Sequence, residues 1–166
     1  MITYVEGDLF ESPAKVLVNT VNTLGTMGKG IAKDFKTIYP EMFQKYELLC
    51  KTNQFQMGQL WLYKTNHKWI LNFPTKEDWR QPSKLEYIEV GLKKFVSTYA
   101  DAGVTSISFP MLGCGAGGLN WEKVRPLMEK FLNDLPIDVY IHLFLKGPIE
   151  PEQRNIQEIK KRLRSG

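Results

Sequence analysis

The chain is poor in the residues that several kinds of chemistry require. Only two cysteines, Cys50 and Cys114, occur in 166 residues, too few for a disulfide framework and consistent with a reducing compartment. Cys114 has no neighbouring histidine or paired carboxylate that would mark it as a nucleophile. The two histidines, His67 and His142, are far apart and lack a carboxylate cluster, which excludes an evident metal site. No apolar run is long enough to span a bilayer, and no N-terminal stretch resembles a signal peptide. The chain is therefore expected in the cytoplasm, with no membrane partner. It has neither the Gly-Lys-Ser/Thr of a nucleotide P-loop nor a clean Gly-x-Gly-x-x-Gly. No repeat, linker or low-complexity tract divides it, so residues 1–166 read as one domain.

What is present is an ordinary globular composition, 43% hydrophobic and 24% charged. The net charge of +4 permits a polyanionic partner without requiring one. Part of that excess lies in Lys160-Lys161-Arg162-Leu163-Arg164, the pattern of a solvated helix face or tail.

The organising stretch is Pro110 to Trp121, with four glycines in the six residues 113–118. It follows the apolar run 105–109 and precedes the amphipathic run Trp121 to Leu132, giving strand, glycine loop, helix. Such a backbone can turn its N–H groups toward a diphosphate with no side chain in the way. Asn120 is the expected cap of the helix, whose positive dipole end would add to the cradle. The pattern occurs earlier as well. The continuous apolar strand 15–22 suggests burial on both faces. It leads into Thr23 to Gly30, after which Ile31, Phe35 and Ile38 recur at helical spacing until Pro40.

Between these loops, 59–63 and 68–73 read as consecutive strands joined at Thr65-Asn66-His67, a turn that places His67 on the surface. Residues 73–82 read as a polar loop. Ser83-Lys84-Leu85-Glu86 matches a capping box opening a helix, with Leu85, Ile88, Leu92, Phe95, Val96 and Tyr99 inward. A final strand, 138–145, contains a packed His142, and a last helix is expected from Pro151 to about Arg164. Strands alternating with helices predict an α/β layered fold, and the 60–73 hairpin makes its sheet mixed, though mostly parallel. Both glycine loops then lie at the carboxyl ends of strands, where such sheets bind ligands.

Gly7-Asp8-Leu9, Val18-Asn19-Thr20-Val21-Asn22, Met27-Gly28-Lys29-Gly30-Ile31-Ala32 and Gly113-Cys114-Gly115-Ala116-Gly117-Gly118-Leu119 together resemble the macrodomain signature, over nearly the whole chain. The resemblance implies a three-layer α/β/α fold binding ADP-ribose, as ligand and product rather than as a cofactor. It implies that Asp8, with Leu9 beside it, receives the adenine amino group. The loops at Gly28, Lys29, Gly30 and Ile31 and at Gly113 to Leu119 would hold the diphosphate, with Asn19 and Thr75 also lining the ligand. Asn22 would lie beside the distal ribose, where an amide can address vicinal hydroxyls.

Asn72-Phe73-Pro74-Thr75-Lys76, Trp79-Arg80 and Ser83 to Tyr87 are similar to the antitoxin macrodomains that remove ADP-ribose from thymidine bases in DNA. They are more distantly similar to the terminal ADP-ribose protein glycohydrolases, in which a lysine of this segment attacks the distal ribose. By that resemblance Lys76 and Asn22 are the catalytic residues. Lys76 either forms a covalent adduct or stabilises charge on the ribose. The protein-directed enzymes carry an acid in the second loop, but here Gly117 holds that place and no acid occurs from Gly113 to Asn120. The Gly-Gly form fits the DNA-directed branch. Trp79, Arg80 and Lys84 would contact the DNA, with cations for phosphates and an aromatic face for an unstacked base.

The resemblance thus implies a hydrolase acting on ADP-ribosylated, single-stranded DNA, opposing an ADP-ribosyltransferase toxin and expected to be a monomer. The alternatives are a hydrolase of protein-linked or small-molecule ADP-ribose esters and a non-catalytic ADP-ribose reader. Antitoxins of this type usually extend beyond the macrodomain, which leaves room for a longer native protein.

Overall fold

The computed structural model describes residues 1–143 and 156–165. β1 (Ile2–Val5) is followed by a 3-10 turn (Leu9–Glu11), β2 (Val16–Asn22), α1 (Gly30–Ile38) and α2 (Pro40–Lys51). β3 (Trp61–Lys64) and β4 (Trp69–Lys76) form the expected hairpin, and α3 (Leu85–Thr98), β5 (Ser106–Phe109), α4 (Trp121–Leu132), β6 (Asp138–His142) and α5 (Ile156–Ser165) complete the chain. The expected strand end at 144–145 and helix start at Pro151 lie outside the described residues.

Among the described residues six strands form one sheet in the order β1-β6-β5-β2-β4-β3. Every neighbouring pair is parallel except β3 with β4, at the edge. The sheet is therefore mixed and mostly parallel, as the alternation predicted. The parallel strands put the carboxyl ends of β1, β2, β4, β5 and β6 at one edge, where the loops gather.

Two hydrophobic cores lie on the two sheet faces. β2 feeds both: Leu17 and Val21 pack with Phe35, Ile38, Met42 and Tyr46 of α1 and α2. Val16 and Val18 pack with Ile88, Leu92 and Phe95 of α3 and Val124 and Met128 of α4. That two-sided demand explains why its apolar run is continuous rather than alternating. Phe73 of β4 is fully buried, worth about 1.5–3 kcal/mol in transfer terms. It is accommodated by Gly91 of α3, where an added Cβ would come within 2.3 Å of the ring. Any larger residue at Gly91 must push the helix off the sheet.

Two details differ from the sequence reading. β4 does not end at Phe73 but continues through Pro74 and Thr75 to Lys76. β3 pairs with β4 only between residues 69 and 72, so beyond them one side of β4 is free and Pro74 costs no ladder bond there. Second, the capping box does not form. α3 starts at Leu85 with Lys84 in the cap position and no side-chain cap bond, and Leu85 is exposed. The Ser83 hydroxyl has no partner, and its backbone N–H, which the Glu86 side chain would accept in a capping box, donates instead to the carbonyl of Gly117 at 2.9 Å.

Candidate active site

The site is assembled where β2, β4 and β5 end. β2 and β4 run in register to Val21 opposite Pro74; then a bulge at Thr75 brings Asn22 opposite Lys76. A bulge turns one strand's side chains relative to the other's, and here it pairs the two residues expected to be catalytic. The strand ends are then tied by Thr23, whose N–H donates to the Lys76 carbonyl (3.1 Å) and whose hydroxyl donates to that of Glu77 (3.3 Å).

Lys76 reaches across the cleft to the second loop, and its Nζ donates to the Ala116 carbonyl at 2.8 Å, with the Trp79 carbonyl at 3.5 Å. Its pKa lies below the ordinary lysine value, first through partial desolvation and second through the nearby charge of Lys29. Both effects favour the neutral, nucleophilic amine.

Asn22 is tied into the first loop. Its Oδ1 accepts from the backbone N–H groups of Leu24, Gly25 and Thr26 at 3.0–3.2 Å and from the Tyr46 hydroxyl at 2.9 Å. Its Nδ2 donates to the carbonyl and hydroxyl of Thr26. Both amide hydrogens are thus spent inside the loop. In this arrangement Asn22 shapes the Leu24–Thr26 turn, and a direct bond to ribose would have to replace one of these. Asn19 is fully buried and donates to Asn72 across the strands at 3.1 Å, while its Oδ1 has no partner among the described residues. Thr75 is buried at the bulge and Leu9 lies in the core, so their side chains hold the frame.

The first loop ends at an uncapped helix. Lys29 occupies the cap position of α1 without a side-chain bond, leaving the first-turn N–H groups of Gly30 and Ile31 as anion donors. Gly30 has φ +59 and Gly28 has open space where a Cβ would stand. In the second loop Gly113 and Gly118 have φ +72 and +76, a region that favours glycine. The Gly113 carbonyl takes the Leu119 N–H at 2.9 Å and the Gly115 carbonyl takes that of Gly118 at 3.1 Å. Among the described residues the N–H groups of Gly115, Ala116 and Gly117 have no acceptor, as a diphosphate cradle requires. α4 adds less than expected, since Asn120 caps it by accepting from Glu122 N–H at 2.9 Å. The open helix terminus belongs to α1.

Asp8 caps the 3-10 turn through its Oδ1, which accepts from Phe10 N–H at 3.0 Å, and so sits at the cleft's β1 end. Beneath it His142 is buried between the Gly7 carbonyl and the Ser108 hydroxyl. Burial lowers its pKa, which makes it a packed residue. The Cys114 thiol is pushed up to about 11 by burial, so it stays protonated and is no nucleophile.

Of the residues expected to meet DNA, Trp79 is 49% exposed at the rim. Arg80 is bound through Nε and Nη2 to Asp78, whose carboxyl it holds at about 2; that pairing screens its charge. Lys84 lies over the Tyr87 ring. The sequence reading missed Lys29 as the cation over Trp79, at 5.8 Å, and Tyr46 as the anchor of Asn22. A tyrosine on an apolar helix face, whose hydroxyl needs a buried partner, was the available signal for the second. Among the described residues no cluster of histidine, cysteine or carboxylates could hold a metal, and no helix is long and apolar enough to cross a membrane.

A family model described as Macro domain matches residues 18–128. The chain is 44% identical over 147 residues to a DNA ADP-ribosyl glycohydrolase of Mycobacterium tuberculosis, covering 86% of this chain and 42% of that protein. The solved macrodomain of Mycobacterium tuberculosis DarG superposes with a TM-score of 0.82 at 44% identity, over 86% of this chain and 97% of that structure. Thermosipho africanus DarTG in complex with ADP-ribose gives a TM-score of 0.83 at 38% identity, over 95% of this chain and 45% of that chain. The chain thus spans less than half the length of the curated DNA-directed relative it matches.

Proposed function

From the premise that this chain belongs to the macrodomain family, we propose that it is a hydrolase releasing ADP-ribose from thymidine bases of single-stranded DNA. The observation that carries this reading is Lys76, an amine with a lowered pKa held at the end of β4 against the diphosphate loop. An ADP-ribose whose diphosphate lies between the two loops would bring its distal ribose to that amine. The neutral Nζ forms a bond to the anomeric carbon as the bond from that carbon to the base breaks, and the base departs with the proton the amine sheds. Water then hydrolyses the adduct, returning the free lysine and ADP-ribose.

The lack of an acid between Gly113 and Asn120 and the net charge of +4 favour a DNA substrate over a glutamate ester, as do the activities of the relatives. By the same reading the protein acts in the cytoplasm as a monomer, needs no cofactor and opposes an ADP-ribosyltransferase toxin.

The test compares wild type with Lys76→Ala on an oligonucleotide ADP-ribosylated at thymidine and on a glutamate-ADP-ribosylated protein, with ADP-ribose binding measured alongside. Release from DNA should fall on the order of 10³-fold or more in the variant while ADP-ribose still binds. The wild-type rate should rise with pH and level off below the usual lysine range, because deprotonation creates the nucleophile. Release from protein alone would make this a protein-directed or ester hydrolase; binding without any release would make it a reader.

A further inference from the structure

Three side chains, Trp79, Leu24 and Lys29, stand around the outer end of Lys76. Trp79 is 49% exposed and Leu24 46%, two apolar side chains open to solvent beside a polar cleft. The Thr23 bonds to Lys76 and Glu77 set Leu24 next to the end of β4, and the Trp79 carbonyl faces the Lys76 amine. The exposed Lys29 ammonium lies 5.8 Å from the centre of the Trp79 ring. Arg80 is also near that ring, at 5.7 Å, but is forked onto Asp78. Lys29 has no carboxylate partner among the described residues, and a solvated cation over a ring is held by only about 0.5–1 kcal/mol. Of the two cations near the indole ring, it is the movable one.

We infer that Trp79 and Leu24 form the subsite for the nucleobase that leaves, and that Lys29 swings from the indole ring to a phosphate of the same strand. The inference rests on the proposed DNA-directed hydrolysis. Trp79 and Leu24 flank the strand end that carries Lys76, so a base linked to a ribose held at that amine lies within reach of the rim they form. A base has a π-face for the indole and an edge that Leu24 can cover, and its strand has phosphates for Lys29. A glutamate side chain offers neither an aromatic face nor a phosphate. A base stacked within a duplex cannot enter, so the subsite selects an unpaired or extruded one.

The experiment measures KM and kcat on the ADP-ribosylated single-stranded oligonucleotide for wild type, Trp79→Ala, Trp79→Phe, Leu24→Ser and Lys29→Gln, with ADP-ribose affinity for each. Stacking is worth about 1–3 kcal/mol per base, so Trp79→Ala should raise KM roughly tenfold or more with ADP-ribose affinity unchanged, and Trp79→Phe should recover most of it. Leu24→Ser should raise KM several-fold. Lys29→Gln should lower the salt-dependence slope by about one phosphate contact. Release from DNA by wild type with KM unchanged in Trp79→Ala would overturn the subsite and leave the proposed function standing. Release by wild type from glutamate-linked protein but not from DNA would overturn both.

Discussion

The two glycine loops face the same cleft but are built by opposite means. The Asn22–Gly30 loop is wired from within. One amide side chain gathers three consecutive N–H groups, and the Tyr46 hydroxyl of α2 donates to Asn22 and to Thr26. The Gly113–Leu119 loop has no such side chain. Two bonds within its own backbone fold it, and the β4–α3 segment holds it from outside, through Lys76 on the Ala116 carbonyl and the Ser83 N–H on that of Gly117. Side chains make the first loop rigid and leave its chemistry to the uncapped α1 terminus. The second loop is bare so that its N–H groups stay open, and it needs an external hold. Because Lys76 supplies part of that hold, the amine proposed as nucleophile is hydrogen-bonded to the loop proposed to cradle the diphosphate.

The largest break in this contrast is expected from Gly117→Ala. An added Cβ would stand 2.4 Å from the Gly113 carbonyl oxygen and 2.5 Å from the Ser83 hydroxyl, so the second loop has to shift off both. Overpacking of this kind costs about 1–3 kcal/mol, and calorimetry should find ADP-ribose affinity lowered about tenfold; an unchanged affinity would mean that the loop does not cradle the ligand. The same crowding explains why an acid at this place is incompatible with this packing, whatever the chemistry.

A smaller loss is expected when the first loop is unwired. Tyr46→Phe removes the hydroxyl donor but leaves the three N–H bonds to Asn22, so the cost should be near 1 kcal/mol. That corresponds to a fall in Tm of about 2–4 °C for a domain of this size. If Tm drops as predicted but ADP-ribose affinity stays the same, the first loop's wiring is structural and the contrast sharpens. An unaltered Tm would mean that the hydroxyl is replaced by water.

The smallest effect should come from Ser83→Ala. The hydroxyl is buried with no partner while the backbone bond to Gly117 needs no side chain, so removal should be neutral or slightly stabilising, within about 0.5 kcal/mol. A clear destabilisation on thermal unfolding would show that the hydroxyl has a partner in solution, and that the second loop is wired by side chains after all.

The layered fold was legible because its signals are local. The continuous apolar run of β2, the helical spacing of Ile31, Phe35 and Ile38, and the strand–glycine–helix pattern each follow from what one element must bury. The place of Lys76 was legible only as a resemblance. Its position on a strand rather than a loop was hidden because Pro74 and a polar stretch argue against a strand, and only the lack of a β3 partner beyond Asn72 permits one. Asn22 and Asn19 were read as ligand contacts because their residue type suits hydroxyls and phosphates. Their burial and partners depend on which helix covers β2, which no local pattern states. The Ser83 capping box failed for a related reason: a local cap worth about 1 kcal/mol was outweighed by a long-range bond to the glycine loop.

By itself the sequence determined the element order, the two-faced burial of the central strand, the two loops able to present bare N–H groups and the scarcity of thiol and metal chemistry. These depend on periodicity and on backbone freedom, which are properties of neighbouring residues. Only the tertiary structure decided that a bulge sets Lys76 opposite Asn22, that Lys76 lies on the Ala116 carbonyl where partial burial and then the charge of Lys29 lower its pKa, and that Trp79 and Leu24 are left exposed beside it. Those are contacts between β2, β4 and the loop after β5, brought together by strand pairing, and their distances and charges exist only once the sheet has formed.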